Sequence, residues 1–137
     1  MMRTIKKISL VLMTALLTLV FCTGCLRWWY GIPDYNYSAF EIVGEAELEW
    51  MYDEQYNEYV ISVKGIAKNV SGEELSGAGI TYLIYDGDGN NIGSAYGYID
   101  LVEEGGSWRF CATGSTKYEP VSMRLHEIYG YTENKYL

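Results

Sequence analysis

From Phe40 to Met51 the chain alternates in character residue by residue. Phe40, Ile42, Ala46, Leu48 and Trp50 fall on one set of positions and Glu41, Glu45, Glu47 and Glu49 on the other. Period two sends the two sets to opposite faces of a β-strand, whereas a helix would wind both around its circumference. Only Val43 and Gly44 break the pattern. The rest of the chain follows the same grammar, with strands expected at Tyr59–Val70, Ile80–Tyr85, Ile92–Leu101, Trp108–Ala112 and Val121–Tyr131. Ile80–Tyr85 is apolar or aromatic on both faces, which suits a central strand. Between the strands stand Ser71–Gly77, Asp86–Asn91, Glu104-Gly105-Gly106 and Tyr118-Glu119-Pro120, segments rich in residues that favour turns. No amphipathic helix interrupts the series. Six or seven short strands at this spacing predict an all-β fold, an antiparallel immunoglobulin-like β-sandwich lacking the Cys…Trp…Cys pattern of true immunoglobulin domains.

The N-terminus obeys different rules. Arg3, Lys6 and Lys7 precede Ile8–Phe21, a run of 14 uncharged residues. This is the anatomy of a helical signal peptide, and the run is short of the roughly 20 residues a membrane-spanning helix needs. Cys22-Thr23-Gly24-Cys25 resembles the lipobox of prokaryotic lipoproteins, with Cys22 where leucine is usual. The resemblance implies cleavage after Gly24 and a diacylglycerol on Cys25. The alternative is a secreted protein cut near Gly24. The expected organisation is a signal peptide over 1–24, a lipid-anchored tether over 25–38 and a β-domain over 39–137. Trp28, Trp29 and Tyr30 follow the anchored cysteine closely enough to sit at the membrane interface, or else they pack under the domain.

Charge narrows the partners. Ten Lys and Arg against 18 Asp and Glu give a net charge of −8, and losing the three signal cations would take it to −11. No basic footprint for nucleic acid exists in such a chain. An anionic membrane surface would repel it, so attachment is expected to rest on the acyl chains. The expected location is the cell surface or the periplasmic face of a membrane. Once Cys22 is removed and Cys25 acylated, Cys111 is the remaining thiol and no internal disulfide can form.

The residues between Val60 and Tyr131 are similar to the FxLxYD domain of bacterial and archaeal surface proteins. Gly65-Ile66-Ala67-Lys68-Asn69 resembles that family's G-x-V-x-N strand end. Thr81, Leu83, Tyr85 and Asp86 fall on its naming motif, with Thr81 in place of phenylalanine. Asp86-Gly87-Asp88-Gly89-Asn90 and Leu101…Gly105…Trp108-Arg109-Phe110 match further on. The resemblance implies a small immunoglobulin-like domain behind an export signal, with no catalytic activity.

Direct reading of the chemistry also points away from catalysis. His126 is the single histidine and lies in an alternating strand opposite Leu125, so neither a catalytic triad nor a zinc site can be assembled. Glu45, Glu47 and Glu49 share a strand face at about 6.6–6.8 Å spacing, near that of paired-carboxylate hydrolases. Solvent-facing glutamates guarding an edge strand explain them more simply. Asp86, Asp88 and Asn90 alternate with glycine like the oxygen ligands of a calcium loop, but the twelfth position is Gly97 and a plain turn accounts for the glycines. No metal or cofactor is expected. Cys111 alternates with Phe110 and could point outward, free to pair with another chain, but a semi-buried inert thiol is the simpler expectation. Asn36-Tyr37-Ser38 and Asn69-Val70-Ser71 are glycosylation sequons.

Tyrosine is the unusual count, at 14 residues. Tyr82, Tyr96, Tyr98, Tyr129 and Tyr131 lie in predicted strands, and Tyr96, Tyr98, Tyr129 and Tyr131 are the candidates for a binding face. The expected function is a non-catalytic, membrane-anchored module that binds an envelope protein or polymer. The alternative is a carbohydrate-binding or calcium-dependent accessory domain.

Overall fold

The alternating segment at Phe40 becomes the longest strand of an antiparallel sheet. The computed structural model describes residues 33–133, of which Asp34–Thr132 form one compact unit. Its seven strands are β1 (Asp34–Asn36), β2 (Phe40–Asp53), β3 (Glu58–Asn69), β4 (Gly77–Tyr85), β5 (Asn91–Ile99), β6 (Ser107–Thr116) and β7 (Ser122–Thr132). They make one curled sheet in the order β1-β7-β4-β5-β6-β3-β2, every pairing antiparallel. The residues expected to form the signal, the lipobox and the membrane interface, including Cys22, Cys25, Trp28, Trp29 and Tyr30, lie outside the described residues.

Local chemistry explains the pieces. In β2 the break at Val43-Gly44 is a β-bulge. Val43 pairs with Ile66 and Glu47 with Lys64, leaving Gly44, Glu45 and Ala46 opposite Gly65 alone. Gly44 takes φ +74°, a backbone region in which any Cβ is costly. The bulge restores the phase of the alternation, so Phe40, Ile42, Ala46 and Leu48 all turn from water while the glutamates face it. Trp50 departs from the expectation. It is 43% exposed, because the far end of the β2–β3 hairpin runs past the core and leaves Trp50 and Tyr52 packed edge-on against Tyr59 instead.

β4 is the central strand expected of it, paired on both sides with β5 and β7. Its inward residues Ala78, Ile80, Tyr82 and Ile84 are buried with Ile61 and Val63 of β3 and Trp108, Phe110 and Ala112 of β6. Tyr82 stacks on Phe110 at 6.0 Å between ring centroids. That contact joins two strands separated by β5 in the sheet order, so the curl folds the inner faces of β4 and β6 onto each other. Tyr82, one of the tyrosines weighed for exposure, is therefore a core residue, 4% exposed, and burial pushes its phenol above the ordinary tyrosine range.

Two stretches of strand lie where none was expected. Asp34–Asn36, within the segment expected as tether, add β1 to the edge of β7 opposite Gly130–Thr132. Three residues are too few to show a period, and only the partner strand reveals them. β4 likewise begins at Gly77, the last residue of the expected Ser71–Gly77 loop and three residues before the strand expected from Ile80.

Asn69 closes one end of the sheet. It is 1% exposed, and its Nδ2 donates to the carbonyls of Glu73 and Glu103 at 2.8 and 3.0 Å. Its Oδ1 accepts from the Ser71 amide and hydroxyl at 3.0 and 2.6 Å. The amide that a sequon would present is thus committed to the fold. Asn36 is different, half-buried with its Oδ1 accepting from the Ser38 amide.

Candidate binding face

The outer face of β1, β7, β4 and β5 carries the tyrosines. β4 presents Gly77 and Gly79 outward, and the register sets Tyr131 of β7 beside Gly77 and Tyr129 beside Gly79. On the other side Tyr98 of β5 stands beside Gly79 and Tyr96 beside Thr81. With no side chain on β4 to hold them off, the rings of Tyr129 and Tyr131 lie down across it. A Cβ on Gly79 would come within 2.5 Å of Tyr129 Cζ, and one on Gly77 within 2.5 Å of Tyr131 Cζ. The rings cross diagonally and end at β5, where the Tyr129 hydroxyl meets that of Tyr96 at 3.1 Å and the Tyr131 hydroxyl meets that of Tyr98 at 2.5 Å.

Tyr35 completes the surface from β1. Its ring packs against those of Tyr129 and Tyr131 at 5.5 and 5.7 Å, within the range of favourable aromatic pairs. Tyr37 reaches Tyr129 at 6.1 Å. Tyr35, Tyr96 and Tyr98 remain 47–48% exposed, so the face is open to solvent. The structure brings together all four tyrosines expected to form it. It adds Tyr35, which the sequence hid inside an apparent tether.

The hydroxyl pairs favour the neutral forms of Tyr129 and Tyr98. Hydrogen bonding to Tyr96, with burial second, pushes the Tyr129 phenol well above its ordinary 10. Bonding to Tyr131 pushes Tyr98 up to about 12. A phenol that must give up a shared proton to ionise resists doing so. The single cation on these four strands is Arg124, held over the Tyr85 ring at 5.8 Å toward the opposite end of β4.

The remaining candidates are placed as follows. Asp86 Oδ1 accepts from the amides of Asp88 and Asn90 at 3.0 and 2.8 Å, and Asp86 Oδ2 from the Asn90 side chain at 3.3 Å. The Asn90 amide leads in holding the Asp86 carboxyl below the usual carboxylate range. Its oxygens are taken up by the loop itself. Among the described residues no three His, Cys, Asp or Glu side chains are grouped to hold a metal. Glu45, Glu47 and Glu49 are exposed on β2, which is an edge strand as expected, and Glu49 pairs with Lys64 at 2.9 Å. Cys111 is an exposed thiol on β6 opposite Lys64. It borders an open groove of about 550 Å³ that the β2 bulge creates, lined also by Val43, Ile66, Glu47 and Arg109. His126 is exposed at a bulge where β7 slips one residue against β4.

Sequence reasoning missed the glycine floor. Its signal was there in Gly77-Ala78-Gly79, two glycines at strand period before an apolar strand. No protein-family model, curated protein or solved structure matches this chain.

Proposed function

We propose that this chain is a lipid-anchored, non-catalytic binding module of the cell envelope, and that the tyrosine face is its docking surface. The observation that carries the reading is the pair of rings laid over Gly77 and Gly79 and tied by their hydroxyls to Tyr96 and Tyr98. Exposed aromatic area held rigid before binding loses little conformational entropy on contact. The contact between Tyr82 and Phe110 supports an immunoglobulin-like sandwich for the curled sheet. Kinship with the FxLxYD domain rests on the motif residues: Asn69 is the buried plug, and Trp108 and Phe110 are core. Anchoring rests on Cys22 to Cys25 and the apolar run before them.

The test uses the full-length chain expressed in a lipoprotein-processing host. Intact mass and membrane partition are compared for wild type and Cys25→Ala, and cosedimentation of the detergent-extracted chain with washed envelopes for wild type and Tyr96→Ala/Tyr98→Ala. The reading expects a diacylglycerol-sized mass increment lost with Cys25, and envelope binding lost with the tyrosines. An unmodified Cys25 would refute the anchor. Envelope binding indifferent to the double variant would refute the face.

A further inference from the structure

We propose that the tyrosine face takes an uncharged polysaccharide strand. This inference rests on the docking-face reading above and names its ligand class. Three features of the face select the ligand.

The first is shape. Tyr129 and Tyr131 occupy alternate positions of one strand, about 6.6–6.8 Å apart along it, and both lie flat over glycine. The surface is therefore a repeated ledge, flanked by Tyr35 with its ring at 71° to that of Tyr129 and 55° to that of Tyr131. Such ledges meet the flat C–H faces of successive sugar rings. An extended proline-rich peptide docks in grooves between aromatic side chains, and over β4 itself the rings lie across the strand.

The second is hydrogen bonding. In each hydroxyl pair one proton is spent on the partner, so the pair keeps one donor and about three acceptor lone pairs. Both pairs sit at the open β5 end of the ledges, beside exposed Tyr96 and Tyr98. A rim that both donates and accepts suits sugar hydroxyls, which do the same.

The third is charge. The carboxylates near the rings include Asp34 of β1, Asp100 just beyond β5 and Glu127 on β7, the last two acting on Tyr98 and Tyr129 respectively. Arg124 is engaged with Tyr85 toward the other end of β4. An anionic polymer would meet carboxylates here and a chain of net charge −8, with Arg124 the one Lys or Arg side chain on these four strands. A neutral strand pays none of that repulsion.

The experiment is affinity electrophoresis of the full-length chain in neutral detergent, through gels containing one soluble polymer each. The polymers are a neutral β-glucan, xylan, galactomannan, anionic polygalacturonate and a proline-rich peptide conjugate. The proposal expects retardation by at least one neutral polysaccharide and none by polygalacturonate. It expects Tyr96→Ala/Tyr98→Ala to weaken that retardation about tenfold or more, as removal of central aromatic contacts does. Tyr98→Phe keeps the ring and loses a hydroxyl, so a severalfold weakening is expected from it with the fold undisturbed. Retardation by the peptide or the anionic polymer alone would overturn the ligand class and leave the docking face standing, provided the tyrosine variants abolish it. No retardation by any neutral polymer would overturn the inference, and envelope cosedimentation then reports separately on the face.

Discussion

The outer surface of the sheet is built in two ways on one backbone plan. On β2 and β3 the outward positions carry Glu41, Glu47 and Glu49 against Lys68, Lys64 and Ser62, long flexible side chains with one close ion pair. On β7, β4 and β5 the outward positions carry tyrosine and glycine, with rings fixed over the floor and hydroxyls tied across it. The first surface keeps an exposed edge soluble and discourages strand addition. The second accepts exposed aromatic area and invests glycines to order it. Glycine within a strand costs about 0.5–1 kcal/mol relative to alanine, so two of them under a single aromatic layer call for a reason that solubility does not supply.

If strength resides in the interior and the ends of the sheet, the largest loss should come from neither surface. Asn69→Ala is expected to lower the unfolding free energy by about 3 kcal/mol, since it empties a buried site and removes the bonds that tie Ser71, Glu73 and Glu103 together. Asn36→Ala should cost about 0.5 kcal/mol or less, and chemical denaturation of the two variants checks the contrast. Next comes the glycine floor. Gly79→Ala should cost about 1–2 kcal/mol and lift the Tyr129 ring off β4, so the Tyr129 phenol should fall back toward ordinary tyrosine titration. A variant that leaves this titration unchanged would show that the floor does not hold the ring.

The hydroxyl pairs sharpen the comparison through pH. Tyr98 titrates near 12 in the fold against an ordinary 10, so its contribution is fully present below pH 10 and is lost as pH rises to about 12. Tyr98→Phe should cost about 0.5–1 kcal/mol near neutrality and flatten the decline of stability between those two values. Denaturation midpoints measured across the window give the slope. The smallest effect belongs to the charged surface. Glu49→Gln should change stability by less than about 0.5 kcal/mol, a difference that salt removes. A loss equal to that at Tyr98 would erase the distinction between the two surfaces.

Much of this was legible before any coordinates. The alternation from Phe40 to Met51 disclosed β2, and its single interruption marked the bulge at Gly44. The double-sided apolar run from Ile80 to Tyr85 disclosed the central strand. Tyr96, Tyr98, Tyr129 and Tyr131 could be grouped because period two puts each pair on one face of its strand. What stayed hidden depended on neighbours that sequence order does not show. β1 owes its existence to pairing with β7, and Tyr35 joins the face only through that pairing. Tyr82 reads like Tyr96 in composition and differs because the curl turns it onto Phe110. Gly77 and Gly79 look like the end of a loop until the rings above them are seen. Asn69 reads as a sequon because burial leaves no mark on three letters.

The claim that the face is assembled before any ligand arrives is most directly tested by the proton chemical shifts of Gly77 and Gly79 in the ligand-free chain. Aromatic rings lying over these residues must shift their Hα resonances strongly upfield and give nuclear Overhauser contacts from the ring protons of Tyr131 and Tyr129. The account predicts both, with Gly79→Ala abolishing the Tyr129 contacts. Glycine shifts typical of an uncovered strand, with no ring contacts, would contradict it.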